Sequence, residues 1–222
     1  MTIFSASDTA ATVARILLET GAVLIRPEAP FTLTSGEKSP VYVDCRKLIA
    51  FPRARRFIVN ALADTACRMC GFESLDGVAG GETAGIPYAA WVADALGLPM
   101  AYVRKKPKGF GRGSQIEGVA EEGQRILLVE DLATDGGSKV VFVNALREVG
   151  ATVPLSLVVF HYGIFPYEGT ELARLGVPLK GLATWADVLA EARQNGRFSQ
   201  TALAGVEAFL HDPAAWRQRH GA

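Results

Sequence analysis

The sequence predicts an α/β fold: a parallel central sheet flanked by helices, with a small N-terminal hood segment and a helical C-terminal extension. Two observations carry this. Short apolar runs at Gly77–Ala79, Met100–Val103, Arg125–Val129 and Val153–Phe160 alternate with segments of helical period. Strands separated by helices make parallel sheets covered on both faces. The helical segments stop at glycines, Gly97 and Gly150, residues that suit the left-handed end of a helix.

Taken in order, residues 8–20 read as an amphipathic helix, with Val13, Ile16 and Leu17 near helical spacing and Gly21 as a stop. Ala22–Ile25, Phe31–Leu33 and Val41–Val43 read as short strands, the last two separated by the turn residues of 35–40. A helix is expected over 53–70, a strand at 77–79, a helix over 84–96 and a strand at 100–103. A Gly-rich cationic loop follows over 104–118. A strand at 125–129, a helix over 138–149 and a strand at 153–160 complete the alternation. Residues 183–211 read as helical, outside it. The expected organisation is one domain, 1–222: hood segment 1–46, α/β core 47–182 and extension 183–222. The tail is expected to pack on the core or on a second subunit, with His211 and His220 solvated. His161, just after a strand, is a candidate for the site's rim.

Composition narrows the function classes. The 222 residues are 49% hydrophobic and 21% charged, with 23 basic and 23 acidic side chains, so net charge is zero. That argues against a whole-surface nucleic-acid binder and against attachment to a membrane by bulk charge. Three cysteines make no disulfide framework. Cys67 and Cys70 form a C-x-x-C inside a helical segment and read as buried thiols, with a metal or redox role the other reading. No signal peptide or membrane-spanning segment is evident, and a cytoplasmic location is expected.

The most informative stretch is Ile126-Leu127-Leu128-Val129-Glu130-Asp131-Leu132-Ala133-Thr134-Asp135-Gly136-Gly137-Ser138. A buried strand ends in two acids, a short polar turn follows, and a helix opens with Phe142, Ala145, Leu146 and Val149 along one face. A turn entering a helix presents unpaired N–H groups and the positive end of the helix dipole to an anion. The two glycines permit close approach, and Thr134 and Ser138 can donate hydroxyl hydrogen bonds. The acids can accept from ribose hydroxyls or hold waters of a Mg²⁺ ion. Phosphate donors beside hydroxyl acceptors describe a phosphoribosyl site. The second signal is Arg104–Gly113, with five cations in nine residues and three glycines, which reads as a mobile cationic lid over a polyphosphate.

Residues 126–138 resemble the 5-phosphoribosyl 1-diphosphate (PRPP) motif of type I phosphoribosyltransferases. The 104–118 loop resembles the catalytic loop of orotate phosphoribosyltransferases. Residues 31–46, with Ser35-Gly36 and Ser39-Pro40-Val41-Tyr42-Val43, are similar to that family's orotate-side segment, and Gly80–Pro87 to its pyrophosphate-side loop. The resemblance implies transfer of a phosphoribosyl group from PRPP to orotate, with Mg²⁺ as cofactor held mainly by PRPP and water near Glu130 and Asp131, without direct protein ligands. It implies a homodimer whose basic loop acts across subunits. It assigns Arg104, Lys105, Lys108 and Asp131 to catalysis. PRPP contacts fall on those cations and on Glu130, Asp131, Leu132, Ala133, Thr134, Asp135, Gly136, Gly137 and Ser138. Orotate falls to Thr134, Tyr42 and Arg46.

The chain departs from the family pattern at several points. Phe110 stands where many members have His, Ala84 and Thr34 where some have Lys, and Asp135 adds an acid inside the phosphate loop. Phe160-His161-Tyr162-Gly163 lacks an Arg that some members turn to orotate, and Arg46 is the cation offered in its place. The alternatives are a purine phosphoribosyltransferase and a non-catalytic nucleotide-binding regulator of the same fold.

Overall fold

The computed structural model describes residues 5–33, 36–109, 114–134, 136–164 and 166–220. Its contacts group into two compact units, Pro52–Leu182 and Met1–Phe51 with Ala183–Ala222. The three consecutive segments expected from sequence are therefore regrouped. The tail joins the N-terminal segment, and the first boundary falls at Phe51 rather than residue 46.

In the first unit, helix α1 (Ala6–Glu19) begins at Ser5, whose hydroxyl accepts from the Asp8 amide. Strands β1 (Val23–Ile25) and β4 (Val41–Val43) pair antiparallel, as do β2 (Phe31–Thr32) and β3 (Lys38–Ser39). The C-terminal helices close this unit.

The second unit holds α2 (Pro52–Cys70), β5 (Gly77–Gly81), α3 (Gly85–Leu96), β6 (Met100–Val103), β7 (Ile116–Glu117), β8 (Ile126–Ala133), α4 (Gly137–Glu148), β9 (Ser156–His161) and the short α5 (Glu171–Arg174). Strand β10 (Leu179–Thr184) follows. Then come the first unit's α6 (Trp185–Asn195), α7 (Gln200–His211) and α8 (Pro213–Arg219). Helix α6 packs on α1, and Arg15 pairs with the buried Glu191 at 2.9 Å. Trp216 is buried edge-on against Phe209 at 5.4 Å. His211 and His220 are both exposed as expected, and the His220 ring stacks on Trp216 at 3.9 Å. The tail buries its apolar stripe inside this unit because Val188, Leu189, Leu203 and Val206 share it with Val13 and Leu17 of α1 as core residues.

The main sheet has the order β10-β9-β8-β5-β6-β7. Pairs β5–β6, β5–β8 and β8–β9 are parallel, and β6–β7 is antiparallel. Two differences from the sequence reading matter. Strand β8 continues through the two acids to Ala133, because Leu132 and Ala133 pair with Phe160 and His161 of β9. Strand β10, with Lys180 and Gly181 breaking its apolar run, carries no strand signal that the sequence alone reveals. Cys67 and Cys70 are half-buried free thiols on α2 rather than buried ones, and desolvation pushes both upward from the usual thiol pKa. Among the described residues no helix is long and apolar enough to cross a membrane.

At the amino ends of β5 and β8, Arg125 grips Asp76. Its Nε donates to Oδ2 at 2.9 Å, its Nη2 to Oδ1 at 3.0 Å, and its backbone amide to Oδ2 at 2.8 Å. The guanidinium and then the amide hold the Asp76 carboxyl down at about 2. A depressed folded pKa gives stability that is present above the unfolded value near 4 and lost as pH falls through about 2. Asp76→Asn should therefore lower the melting temperature at pH 7, and the gap to wild type should close between about pH 4 and pH 2. Thermal melts across that range check this.

Candidate active site

Strands β5 and β8 lie side by side, yet β5 crosses over through α3 to β6 on one flank and β8 through α4 to β9 on the other. Such a switch point leaves a crevice at the carboxyl ends of the two strands, where open α/β sheets bind ligands. The turn after β8, the Gly80–Gly85 turn after β5 and the loop after β6 all start from this edge.

Thr134, Gly137 and Ser138 are exposed on the turn, while Ala133 and Gly136 are buried. Gly136 takes φ +82°, and a Cβ there would sit 2.5 Å from Leu172 Cδ1. Only glycine meets both demands. No side chain caps α4, and the positive end of its dipole faces the turn. Asp135 lies outside the described residues.

The two acids of β8 have different surroundings. Asp131 is half-buried. Glu130 is turned inward, 8% exposed in its side chain, with Oε2 3.3 Å from the Lys139 ammonium. Its Oε1 lies where a Cβ on Gly81 or Gly85 would approach within 2.4 and 2.2 Å, and it has no hydrogen-bond partner. Burial pushes the Glu130 carboxyl up to about 7, against the pull of Lys139 and with a smaller push from Asp131. The sequence reading gives both acids to the ribose; here Asp131 is half-buried and Glu130 is buried against Lys139.

The basic loop leaves β6 and returns at β7 as a paired ribbon. The Arg104 amide donates to Gln115 O at 2.8 Å, and that of Lys108 to Ser114 O at 3.0 Å. Arg104 and Lys108 share Glu117, at 3.6 and 4.0 Å. The Lys105 amide donates to Glu82 Oε2 at 2.8 Å, which ties this ribbon to the turn after β5. Phe110 and the rest of 110–113 lie outside the described residues. Ala84 precedes α3 and makes no cap hydrogen bond.

Leu132 and Ala133 belong to β8, so they frame the turn. His161, opposite Ala133 in the β8–β9 register, hydrogen-bonds the Thr134 backbone; burial and then nearby Lys139 lower its pKa, while that bond raises it. Tyr42 and Arg46 belong to the other unit. There Arg46 Nη2 donates to the Tyr42 hydroxyl at 3.2 Å and Nε to Asp44 Oδ1 at 2.7 Å. Thr34 and Ser35 lie outside the described residues.

Three contributors escape the sequence reading. Lys139 had a signal, a cation at the i−3 and i−7 positions of the apolar stripe through Phe142 and Leu146. Glu82 and Glu117 lie within the Gly80–Pro87 and 104–118 segments that the sequence singles out, but only the fold brings their carboxylates to the basic ribbon.

The fit to Mg²⁺ follows from the donors. Among the described residues no three of His, Cys, Asp and Glu cluster as a metal site. Glu130 pairs with Lys139, and Asp131 is a half-buried carboxylate at the strand end. One carboxylate plus substrate oxygens and water is a normal Mg²⁺ environment.

No family model matches the chain. An orotate phosphoribosyltransferase of Cereibacter sphaeroides (strain KD131 / KCTC 12085) is 59% identical over 204 residues, 92% of this chain and 88% of that protein. The chain belongs to the orotate phosphoribosyltransferase family. With the family come its transferase class, pentosyl transfer, and its fold. The orotate phosphoribosyltransferase of Aeropyrum pernix superposes with a TM-score of 0.70 at 33% identity, over 84% of this chain and 99% of that one. The Mycobacterium tuberculosis H37Rv family member, solved in complex with PRPP, gives 0.63 at 25% identity over 81% and 98%.

Gly136→Ala should cost about 1–3 kcal/mol of stability, from forced φ and the Leu172 clash. Denaturant unfolding measures it, and the loss should exceed that of Gly137→Ala, where φ is not left-handed.

Proposed function

We propose that the chain joins orotate to PRPP, forming orotidine 5′-phosphate and diphosphate, a step of pyrimidine (UMP) biosynthesis. The observation that carries this reading is the strand-end edge: an uncapped helix start, a half-open aspartate and a cationic ribbon meet where β5 and β8 diverge. The 59% identity to a protein named for this activity supports the base.

The chemistry asked of these residues is positioning and charge stabilisation. The amides and hydroxyls of Thr134–Ser138 hold the 5′-phosphate, with Leu132, Ala133 and Gly136 shaping the turn and Asp135 kept as a contact on the resemblance alone. Asp131 accepts from the ribose hydroxyls, and Glu130 supports it from beneath. The orotate ring nitrogen forms its bond to C1′ as the C1′–oxygen bond to diphosphate breaks, and the diphosphate leaves with the electron pair. Positive charge builds on the ribose and negative charge on the leaving group. Arg104, Lys105 and Lys108 neutralise the latter, Lys108 giving up its distant partner Glu117. When bound, Mg²⁺ would supply further neutralisation of the leaving group, and Asp131 is the residue that would hold its waters.

Thr134 is the orotate contact proposed on the phosphate turn. Tyr42 and Arg46 are proposed on chemistry: a guanidinium suits a carboxylate, and a phenol suits a flat polar ring. A homodimer with the basic loop acting on the neighbouring subunit, and a cytoplasmic location in keeping with three free thiols, complete the reading.

Loss of orotate absorbance with PRPP and Mg²⁺ tests the activity, and chelation should stop it. Turnover of a purine base instead would move the chain to that branch, and turnover of neither would leave a binding protein. Asp131→Asn should lower kcat/KM about 10²-fold, with the melting temperature within about 2 °C of wild type.

Lys108→Ala should lower kcat by about 10²–10³ and change the PRPP KM far less, since its charge is needed mainly as diphosphate leaves. Mixing inactive Lys108→Ala with inactive Asp131→Asn should recover roughly a quarter of wild-type activity by site counting in a two-fold dimer. No recovery after proven subunit exchange would assign each loop to its own site.

A further inference from the structure

Lys139 has no part in the chemistry above, yet among the described residues it is the only lysine or arginine that is buried, at 3% exposure. Its ammonium has three protons and three acceptors in reach. It donates to the carbonyl of Leu132, to Ser138 Oγ at 3.1 Å and to Glu130 Oε2 at 3.3 Å. Leu132 stands just before the phosphate turn and Ser138 just after it, so one side chain ties both ends of the turn to the strand.

The Leu132 carbonyl, near the end of β8, faces the buried Lys139 ammonium. An inward carbonyl out of reach of water needs a donor, or the desolvation cost goes uncompensated. Lys139 supplies that donor at Leu132. The donor must itself carry a partner, because an isolated buried ammonium is unstable, and Glu130 is that partner. The Glu130 carboxylate is in turn confined by the backbones of Gly81 and Gly85.

We propose that Lys139 is a positioning residue for the substrate's 5′-phosphate: through Leu132 O, Ser138 Oγ and Glu130 it holds the turn after β8 in the shape that accepts the anion. The inference rests on the phosphoribosyl reading of the site. A purely structural role, neutralising Glu130, makes a different forecast, and the two separate by experiment.

Lys139→Met keeps the stem's length but removes all three donors and strands Glu130. Glu130→Gln combined with Lys139→Met removes the stranded charge, so it should regain most of the stability the single variant loses. Glu130→Gln alone keeps the ammonium and its two contacts to the turn. The readouts are calorimetric affinity for ribose 5-phosphate, affinity for inorganic pyrophosphate with Mg²⁺, and thermal unfolding.

Positioning predicts that both variants lacking Lys139 bind ribose 5-phosphate about ten-fold or more weaker, the size of one lost charge-assisted hydrogen bond. Pyrophosphate affinity should stay within about two-fold, and Glu130→Gln alone should lose less ribose 5-phosphate affinity than either. Wild-type ribose 5-phosphate affinity in the double variant overturns the proposal, as does equal weakening of both ligands. Failure of both Lys139 variants to fold also overturns it, since Lys139 would then be a core residue. If wild type binds ribose 5-phosphate but never consumes orotate, the assigned reaction fails while the role of Lys139 is still decided. If it binds neither ligand, both fall.

Discussion

The site depends on two parallel strands, β5 and β8, lying together while their crossover connections leave in opposite directions. Neither connection covers the shared carboxyl end, so backbone and side chains can be presented there without being buried by the next helix. The Asp76–Arg125 grip ties the amino ends of the two strands together on the opposite side of the sheet. Gly81 and Gly85 matter for the same reason. They remove the Cβ atoms that would otherwise meet Glu130, and in the case of Gly81 the ring of Phe142. The backbone after β5 and the backbone after β8 can then share one small volume.

That closeness brings charge into a dry place. A carboxylate beneath two glycines and a buried ammonium at the start of α4 are each costly alone; together they stabilise one another and satisfy the Leu132 carbonyl near the end of β8. Burial raises the Glu130 carboxyl to about 7 despite its lysine. Around the edge, charges are also held in reserve. Glu82 fixes the start of the basic ribbon through a backbone amide, and Glu117 sits near two of its cations. A polyphosphate would compete for those cations with a single partly exposed carboxylate at 3.6 and 4.0 Å, a weak competitor in a solvated setting.

The unit built from both chain termini follows a simpler logic. Helix α1 has one apolar face and too little strand around it to bury that face. The C-terminal helices bring complementary faces, the Arg15–Glu191 pair and the Phe209–Trp216 contact. Arg217 adds an ion pair to Glu37 at 3.0 Å and a hydrogen bond to Lys38 O at 3.3 Å, tying the last helix to the β2–β3 hairpin.

The sequence by itself determined the α/β alternation, the basic loop and the phosphate turn, because each is written in local order: apolar runs, glycine stops, and acids followed by Thr-x-Gly-Gly-Ser. It also singled out the acids Glu130 and Asp131, but gave them one role, since adjacency in a chain says nothing about which side of a strand is dry. Successive residues of a strand face opposite ways, and only the packing of Gly81, Gly85 and Lys139 decided that Glu130 points inward. Strand β10 and the regrouping of the tail with the N-terminus were likewise invisible. Lys180 and Gly181 hide the strand, and an apolar helix face does not name the partner that will cover it. The local code specifies elements and turns; which distant side chains share a buried volume is settled by tertiary packing, where the cost of an unpaired charge selects the partner.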